Sequence, residues 1–529
     1  MKKSLVVSIL TVSTLILSAC SGNGMGGHNM SNMNNDQQTN TEKINLNKLK
    51  EGKPLEVLKG PEVTLVAKEA KQTLKNGVVV PVWTFNGAAP GPEIRVKKGE
   101  KVKITLKNEL PAPVSIHWHG YPVPNSMDGI PGVTQDAIAP GKSFTYEFVA
   151  NEVGTYWYHS HQDSVNQLDR GLYGAFIVED DVKYDKDYTL MLDEWVSDEK
   201  KIAEQISEMK NVSSKKENDS KMNMNHMNMG EHSSGGMMDH NMNEYDVYTI
   251  NGRSGEKIKP LKVKRGDRVR IRLVNAGYLT HNLHLHGHNF KVIATDGQKI
   301  QQPKEIKDEL LAIAPGERYD VEFIADKQGK WLIEEHGDNK ASKEMKEFIQ
   351  YEDKTSSNDH SNASKKLPIF NLSNYGLFEK TPFTLNTKYD IEYTMNLGTE
   401  MKDNNMEYTI NGKTFPNVPP LNVKRNDLIK ATMKNTSMMD DHPMHLHGHF
   451  FQVLSKNGKV FIGAPIIKDT LNLKPGEEYV VAFKANNPGN WMFHCHDLHH
   501  AAAGMVSEIK YKDYKSTYQP DPNAGNMPE

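Results

Sequence analysis

The chain has 529 residues, a length that predicts about three domains of ordinary size. Hydrophobic residues make up 37% of it, which is enough for packed cores once the polar segments are set aside. The formal net charge of −3 gives no basic surface of the kind that binds nucleic acid, so a nucleic-acid partner is not expected.

The N-terminus has the pattern of a secretion signal. Lys2 and Lys3 form a charged region, and the apolar run at residues 5–17 is too short to cross a membrane comfortably. The segment ends in Leu-Ser-Ala-Cys at Cys20, which resembles a bacterial lipoprotein cleavage site. This resemblance implies a lipoprotein signal peptide at residues 1–20 and lipidation of Cys20; the alternative is a plain signal peptide with a chance cysteine. We expect an exported protein that is lipid-anchored on the outer face of the cytoplasmic membrane.

The rest of the chain alternates between polar segments and repeats. In the repeats, apolar and polar residues alternate with the period of a half-buried strand, and helical periodicity is scarce. Each repeat also has an Asn-Gly pair that favours a hairpin turn, at Asn86, Asn251 and Asn411. Three such repeats predict three β-sandwiches. The predicted segments are a flexible tether at 21–55, domains at 56–195, 245–340 and 367–529, a Met/His-rich insert at 196–244 and a linker at 341–366.

Histidines of the first and third repeats are concentrated in four short blocks. Because residues i and i+2 of a strand point to the same face, each His-x-His pair aims two imidazoles into one site. The blocks are His117-Trp118-His119, His159-Ser160-His161, His442-Pro443-Met444-His445-Leu446-His447 and His494-Cys495-His496.

Cys495 lies between two of these imidazoles and is one of only two cysteines. An unpaired thiol in an exported protein indicates metal binding or reactivity. On a strand its side chain points away from His494 and His496, so two metal sites would lie on opposite sides of one strand, joined by covalent bonds. Blue-copper sites use two His and one Cys with a weak axial Met. Cys495, His500, Met505 and one earlier histidine supply that set.

Together these blocks resemble the copper motifs of the multicopper oxidases, the family of laccases and bacterial copper-tolerance oxidases. The resemblance covers the chain from about residue 60 to about residue 510. It implies an all-β fold of three cupredoxin-like Greek-key β-sandwich domains. It also implies a copper-dependent oxidoreductase that takes electrons singly from a substrate and reduces O₂ to water.

The resemblance further implies four copper ions, namely one type 1, one type 2 and two type 3. Electrons would pass from Cys495 through His494 and His496. The implied ligands are His442, Cys495, His500 and Met505 for type 1, His117 and His445 for type 2, and His119, His159 and His496, with His161, His447 and His494, for the two type 3 ions. The division of ligands between the two type 3 ions stays open.

The middle repeat resembles the third but lacks its thiol. Glu335 stands where the third repeat has Cys495, so we predict a domain without blue copper. The alternative is an extra, weak metal site made by His281, His284, His286 and His288.

Reduction of O₂ consumes protons, so an acid near the cluster is expected. Asp128 lies nine residues after His119 and matches the acid of the family. The alternative is a turn residue, because Gly129 follows it. Some copper-tolerance relatives carry a second acid directly after the last blue-copper histidine. This chain has Ala501 there, so any second proton relay differs.

Thioethers are soft ligands that select Cu(I). The insert contains Met222, Met224, Met227 and Met229, and Met438, Met439, Asp440 and Asp441 directly precede His442. We predict Cu(I) as a substrate, oxidised to Cu(II), with broader activity on phenols and a role in copper tolerance. For the insert, a disordered linker is the alternative.

Two other functions stay open. One is a ferroxidase or manganese oxidase that uses the acids near His442, and the other is a copper-buffering surface lipoprotein. The complete histidine set and Cys495 count against buffering, which requires no thiolate beside a histidine cluster. The expected partners are O₂, a small reductant or Cu(I), and the membrane, and we expect a monomer.

Overall fold

The computed structural model describes residues 46–74, 77–198, 200–203, 245–337, 340–352, 366–402 and 405–528. Strands account for 47% of the described residues and helix for 7%. The described strands form six sheets, which pair into three sandwiches. The predicted all-β, cupredoxin-like fold is therefore confirmed.

Several predicted features lie outside the described residues. They are Cys20 with the rest of the signal, and Met222, Met224, Met227 and Met229 of the insert. In the described part of the chain no helix is long and apolar enough to cross a membrane. The short helices there include the α-helices Ser164–Asp169 and Leu498–Ala502 and the 3₁₀ helices Leu46–Lys48, Asn125–Met127, Gly255–Lys257, Ser342–Glu344 and Leu372–Asn374.

The first sandwich packs a four-stranded sheet against a five-stranded sheet. Its strands are β1 (Val57–Lys59), β2 (Glu62–Thr73), β3 (Val79–Phe85), β4 (Glu93–Lys97), β5 (Lys101–Asn108), β6 (His117–His119), β7 (Ser143–Val149), β8 (Gly154–His159) and β9 (Tyr173–Glu179). The strand orders are β3-β2-β5-β7 and β1-β4-β9-β8-β6. Leu65 and Val102 from one sheet meet Trp118 and Phe176 from the other in a common core. Full burial of such a side chain contributes about 1.5–3 kcal/mol.

The second sandwich is larger because its first sheet has seven strands. Its strands are β10 (Lys186–Trp195), β11 (Val247–Ile250), β12 (Leu261–Val263), β13 (Arg268–Asn275), β14 (His281–Leu285), β15 (Phe290–Thr295), β16 (Gln298–Lys299), β17 (Glu305–Ile306), β18 (Leu311–Ile313), β19 (Arg318–Ile324), β20 (Lys330–Glu335) and β21 (Lys346–Tyr351). The orders are β11-β10-β13-β19-β15-β16, with β17 paired to β15, and β12-β21-β20-β14-β18.

The third sandwich repeats the topology of the second. Its strands are β22 (Ile391–Lys402), β23 (Asn405–Ile410), β24 (Leu421–Val423), β25 (Leu428–Asn435), β26 (His442–Leu446), β27 (Phe451–Lys456), β28 (Lys459–Val460), β29 (Ile466–Lys468), β30 (Thr470–Leu473), β31 (Glu478–Lys484), β32 (Asn490–Cys495) and β33 (Val506–Tyr511). The orders are β23-β22-β25-β31-β27-β28, with β29 paired to β27, and β24-β33-β32-β26-β30.

The Asn-Gly pairs form the tight turns that the sequence predicts. Asn86, Asn251 and Asn411 have φ angles of 57°, 53° and 53°, and the glycine after each is also left-handed. Positive φ at both central residues is the geometry of the two-residue hairpin turn that Asn-Gly favours. Each turn is closed by a bridge between its flanking residues, as between Ile250 and Arg253.

The predicted end of the first domain at residue 195 is wrong. β10 pairs in parallel with β13 and antiparallel with β11, so residues 186–195 belong to the second sandwich. The polar insert suggested a domain boundary, but it lies within the connection between two neighbouring strands of one sheet.

Two other predicted boundaries are also wrong. β21 pairs with β20, so the second sandwich extends to Tyr351 and the predicted linker at 341–366 begins too early. The Lys- and Glu-rich composition of this segment indicated a linker, but the segment contains β21, a strand in which alternate side chains are buried. The predicted tether at 21–55 ends too late, because the amides of Gly52 and Lys53 donate to the first sandwich, at the oxygens of Lys71 and Gly87.

Arg318 is fully buried where the three sandwiches meet. β19 of the second sandwich carries it, and its guanidinium donates two hydrogen bonds of 2.7 Å to Asp469 of the third. It also donates to the backbone oxygen of Thr155 in the first, at 3.2 Å. Burial alone would raise the pKa of Asp469, but the charge and hydrogen bonds of Arg318 outweigh it and hold that pKa below its usual value. Arg318 therefore fastens three sandwiches at one point.

Replacing Arg318 with Met should lower the free energy of unfolding by about 3–5 kcal/mol, because Asp469 would stay buried without its countercharge. Urea unfolding followed by circular dichroism measures the loss. The matched control is Arg268→Met, since Arg268 pairs with Glu322 at 2.7 Å but has a side chain that is 42% exposed. That change should cost about 1 kcal/mol or less. Equal losses of unfolding free energy in the two variants would show that Arg318 does not hold the three sandwiches together.

Candidate metal centre

The first sandwich contributes four imidazoles from one sheet. β6 pairs with β8 so that His117 lies opposite His159, and Trp118 lies opposite Tyr158. Alternation along β6 sends Trp118 into the apolar core, where its ring meets that of Tyr158, and leaves the two histidines on the outer face. His161 follows two residues after His159.

The third sandwich sorts its histidines onto two faces. β26 pairs with β32 so that His445 lies opposite His494, and Met444 lies opposite Cys495. Residues opposite each other share a face, so His445 and His494 lie on one side and Cys495 on the other. His442 is three residues before His445, an odd step along a strand, so it shares the face of Cys495.

The two groups of four imidazoles interlock. The ring of His117 stacks on that of His447 with centroids 3.9 Å apart, and His119 stacks on His445 at 3.7 Å. All eight side chains are at most 1% exposed. The first and third sandwiches therefore each supply half of one buried cluster, made of His117, His119, His159, His161, His445, His447, His494 and His496.

The inward nitrogens of this cluster fit a metal centre. Nε2 of His117, His159 and His445 and Nδ1 of His119 are buried and have no hydrogen-bond partner in the described structure. A buried polar atom without a partner destabilises the fold, so these nitrogens are expected to bind a ligand. Several closely spaced imidazoles suit copper.

Six histidines of the cluster also favour the neutral form that a metal requires. Burial, followed by repulsion from neighbouring imidazoles, lowers the pKa of His119, His161, His447 and His496 well below the usual value. The same two effects, burial first, lower the pKa of His159 and His494. Neutral imidazoles are the metal-binding form.

The clusters of potential ligands agree only partly with the predicted division. His161, His447 and His494 form one close group, which is the set predicted for one type 3 ion. Two other groups, His117 with His119 and His159, and His117 with His445 and His447, cut across the predicted sets. The structure brings the predicted ligands together, and their division among ions stays a prediction.

Asp128 lies against the outer side of the cluster. Its carboxylate is 3.0 Å from Nδ1 of His447 and 3.2 Å from Nδ1 of His117, and its backbone oxygen is 3.0 Å from the latter nitrogen. An acceptor on Nδ1 fixes the ring and directs Nε2 inward. Asp128 therefore orients two predicted ligands that belong to different sandwiches.

Asp469 and Thr470 support the opposite side, and sequence reasoning missed both. The backbone oxygen of Asp469 is 3.1 Å from Nδ1 of His445, and the Thr470 hydroxyl is 3.1 Å from Nε2 of His119. The second contact leaves Nδ1 of His119 as its inward atom. Neither residue belongs to a histidine motif, so nothing in the sequence around them indicated a contact with the cluster.

The other face of β32 carries a second, smaller group. Sγ of Cys495 lies 3.6 Å from Nδ1 of His500 and 3.9 Å from Nδ1 of His442, and the two nitrogens are 3.2 Å apart. Met505 is fully buried beside them, and its backbone oxygen accepts from the amide of Cys495. Two imidazoles, a thiol and a thioether form the donor set of blue copper.

Each imidazole of this group has a polar partner at Nε2, on the side away from the sulfur. Nε2 of His442 lies 2.8 Å from the Ser437 hydroxyl, and Nε2 of His500 lies 3.4 Å from the Asp497 carboxylate. Both Nδ1 atoms therefore face the sulfur. Sequence reasoning missed Ser437 and Asp497 because neither is part of a ligand motif.

Burial raises the pKa of the Cys495 thiol, and the nearby carboxylate of Asp497 adds to that effect. Burial also lowers the pKa of His442 to about 3, with a further contribution from His500. A neutral imidazole beside a thiol that does not ionise by itself needs a cation to create the thiolate. The donor set of the site thus fits a metal ion, which would supply the positive charge that the thiolate needs.

Among the residues predicted to meet substrate, Met438 and Met439 lie at the surface, and Asp440 and Asp441 are half-buried directly before His442. Met438 and Met439 are 92% and 86% exposed. Asp440 accepts a hydrogen bond from Thr399 at 2.7 Å, and Asp441 accepts one from Asn472 at 2.8 Å. Burial raises the pKa of Asp441.

Three family models described as multicopper oxidase match residues 66–183, 186–353 and 381–515. A multicopper oxidase of Mycobacterium tuberculosis is 31% identical over 465 residues, which cover 85% of this chain and 86% of the relative. The chain belongs to the multicopper oxidase family. A Staphylococcus aureus multicopper oxidase is 30% identical, with 84% of this chain and 88% of the relative covered.

Solved structures agree with this assignment. A multicopper oxidase from Campylobacter jejuni, described as a metallo-oxidase, is 26% identical with a TM-score of 0.62, covering 87% of this chain and 95% of that one. A multicopper oxidase from Pseudomonas thermotolerans has the same identity and TM-score, covering 86% and 100%. The chain is thus an oxidoreductase that uses O₂ and depends on copper.

Replacing Asp128 with Asn should lower the rate of O₂ consumption about 10–100-fold, because a neutral amide is a weaker acceptor for Nδ1 of His447 and removes the negative charge beside His117. Oxygen-electrode assays across pH measure the effect, and an unchanged blue absorption band shows that the Cys495 group is intact. The control is Glu147→Gln, since Glu147 pairs only with surface lysines, at 3.6 and 3.8 Å. Full activity of Asp128→Asn at every pH would exclude a role for the carboxylate.

Proposed function

We propose that this multicopper oxidase is a cuprous oxidase that oxidises Cu(I) to Cu(II), reduces O₂ to water and serves copper tolerance outside the cell. The observation that carries the proposal is the pair of highly exposed thioethers, Met438 and Met439, which lie four and three residues before His442 of the blue-copper ligand group. Thioethers bind Cu(I) in preference to harder ions. Phenols are expected as accessory substrates.

The proposed enzyme holds four copper ions. His442, Cys495, His500 and Met505 would bind the type 1 ion, and the eight-histidine cluster would bind the type 2 ion and the type 3 pair. Bound copper would supply the one-electron redox chemistry and the binding of O₂. The protein supplies the fixed imidazoles, the exclusion of water and the carboxylate of Asp128 on the outer nitrogens.

The peptide chain joins the two groups directly. Cys495 is bonded through the backbone to His494 and His496, which face the eight-histidine cluster while its sulfur faces His442 and His500. This covalent connection supports the proposed electron path. A copper-buffering protein has no need of it, because binding alone requires no connection between sites.

A second pair of thioethers lies near the proposed entry point. Met401 and Met406 are opposite each other on the hairpin of β22 and β23 and are 67% and 39% exposed. Thr399 shares a face with Met401 by alternation, and its hydroxyl donates to Asp440. That face of the hairpin therefore turns toward the Met438–Met439 segment. Two pairs of exposed thioethers, on a loop and a hairpin that the Thr399–Asp440 hydrogen bond joins, support a soft cation as the substrate.

The same loop favours Cu(I) over Fe(II) and Mn(II), which prefer oxygen ligands. The carboxylates of Asp440 and Asp441 are already engaged by Thr399 and Asn472, and burial disfavours the charge on Asp441 by raising its pKa. Some relatives are named for copper and others for iron: one is a copper resistance protein A homologue of Pseudomonas syringae pv. tomato, and another is an iron transport multicopper oxidase of Epichloe festucae. The thioethers favour the copper function.

The proposal includes the setting of the enzyme. Lipidation of Cys20 would anchor an exported monomer to the outer face of the cytoplasmic membrane, where O₂ and Cu(I) are both accessible. The Met- and His-rich insert, with Met222, Met224, Met227 and Met229, would collect Cu(I) for the site at Met438. Globomycin treatment or mass spectrometry of the N-terminus tests the anchor.

Replacing Cys495 with Ser should abolish the intense blue absorption band and lower the copper content from about four to about three ions per chain, because the thiolate–copper bond is the source of the colour. Absorption spectra with metal analysis of the copper-loaded protein test this. A colourless native protein that is loaded with copper and consumes no O₂ would instead support copper buffering.

Replacing Met438 and Met439 together with Leu should lower kcat/KM for Cu(I) about tenfold, equivalent to about 1.4 kcal/mol, while leaving kcat/KM for a phenol nearly unchanged. Stopped-flow assays with chelated Cu(I) and with dimethoxyphenol compare the substrates. Deletion of residues 222–242 should weaken Cu(I) oxidation at low copper concentration only. Equal losses on both substrates would contradict a specific Cu(I) role, and an unaffected deletion variant would remove the insert from the proposal.

A further inference from the structure

The second sandwich has the strand register of the third, and its polar residues occupy matching positions. In the third, His445 lies opposite His494 on β26 and β32; in the second, His284 lies opposite Glu334 on β14 and β20. Glu335 takes the place of Cys495. The sheet face that holds half of the eight-histidine cluster in the third sandwich thus has a counterpart with its own polar residues.

Three imidazoles and one carboxylate meet on this face. His284, His286 and His336 have ring nitrogens that all lie within 4.8 Å of one another. Oε1 of Glu334 is 3.0 Å from Nε2 of His286 and 3.5 Å from Nε2 of His336. With bonds of about 2.1 Å, the ligands of a tetrahedral ion lie about 3.4 Å apart, so this spacing suits one ion.

His284 gives independent evidence that something is to be bound. It is only 5% exposed, yet in the described part of the chain neither of its ring nitrogens has a hydrogen-bond partner. Burial, followed by its neighbours His286 and His336, lowers the pKa of His284 to about 4. The ring is therefore a neutral donor aimed into a cluster of other donors.

The set differs from the four histidines that the sequence offered as an alternative. His281 is 3.1 Å from Glu194, and His288 contacts the hydroxyl of Tyr351 at 2.8 Å, so both have other partners. Strand pairing brings in His336 and Glu334 instead, about fifty residues along the chain.

We propose that His284, His286, His336 and Glu334 bind one divalent transition-metal ion, Zn²⁺ or Cu²⁺, at a site separate from the blue-copper group and the eight-histidine cluster. Imidazole with one carboxylate is a donor set for these ions, whereas Ca²⁺ and Mg²⁺ require oxygen ligands throughout. Asp308, with a half-exposed side chain, lies 3.7 Å from Nε2 of His284, so a carboxylate that contacts solvent borders the site.

The site has no thiolate, because Glu335 stands in the position of Cys495. An ion there has no covalent path of the kind that joins Cys495 to His494. Its expected effect is on the stability of the second sandwich, since an ion that binds the folded state raises the melting temperature.

The test uses the copper-loaded full chain, titrated with Zn²⁺ by calorimetry and followed by analysis of zinc and copper content. We expect the site to hold one ion per chain, either a fifth copper ion left by the loading or one Zn²⁺ taken up with no loss of blue absorption, and the melting temperature to rise when the site is filled. In the variant with His284→Ala and His286→Ala, Zn²⁺ affinity should fall at least about 100-fold. The control His288→Gln removes a buried histidine of the same sandwich outside the cluster and should keep the Zn²⁺.

Two results would overturn the inference. One is a native chain that binds neither Zn²⁺ nor a fifth copper ion, and the other is a double variant that binds the additional ion as tightly as the native chain, which would place the ion elsewhere. Blue absorption in every variant reports on the third sandwich separately. Failure of this site therefore leaves the oxidase proposal untouched.

Discussion

The arrangement of this molecule depends on the burial of eight imidazoles, most of which lack a partner for an inward nitrogen. His447 and His494 contact each other at 2.9 Å, but in the described structure the other six each have a buried ring nitrogen without a partner. An unpaired buried polar atom costs about 1–3 kcal/mol. Bound cations remove that cost only if the first and third sandwiches meet in one register. The stacking of His117 on His447 and of His119 on His445 shows how closely the two halves fit. Support from Asp128, Asp469 and Arg318 surrounds this contact on different sides.

Two metal environments arise in the third sandwich because a strand has only two faces. The steps from His445 to His447 and from His494 to His496 are even, and keep their imidazoles together. The step from His442 to His445 is odd, and Cys495 is one residue from each histidine beside it. A few positions on two paired strands therefore separate a thiolate site from an imidazole cluster, while the peptide bonds between them stay short.

The sequence predicted those features of the structure that depend on the spacing of residues close together in the chain. Alternating apolar residues indicated the strands, Asn-Gly pairs indicated turns, and the His-x-His blocks indicated the ligands that the fold brings together. Contacts set by long-range register could not be read in this way. Asp469 reaches His445 because β30 pairs with β26, and Arg318 reaches Asp469 across a boundary between sandwiches. His336 and Glu334 were likewise hidden, since only the pairing of β14 with β20 brings them to His284. Composition misled at residue 195, where a polar segment interrupts a hairpin instead of ending a domain.

That interruption has a consequence for how the chain can change. Trp195 and Val247 are direct partners in the ladder of β10 and β11, so the two ends of the insert leave the sheet about 5 Å apart. The free energy of closing a connection rises by only about 0.6 kcal/mol for each doubling of its length. The paired ends fix the geometry whatever is placed between them. Insertions or deletions between residues 203 and 245 should therefore leave the fold of the second sandwich unchanged, whereas Val196 and Ile202, at the start of the connection, are buried in core clusters and must stay.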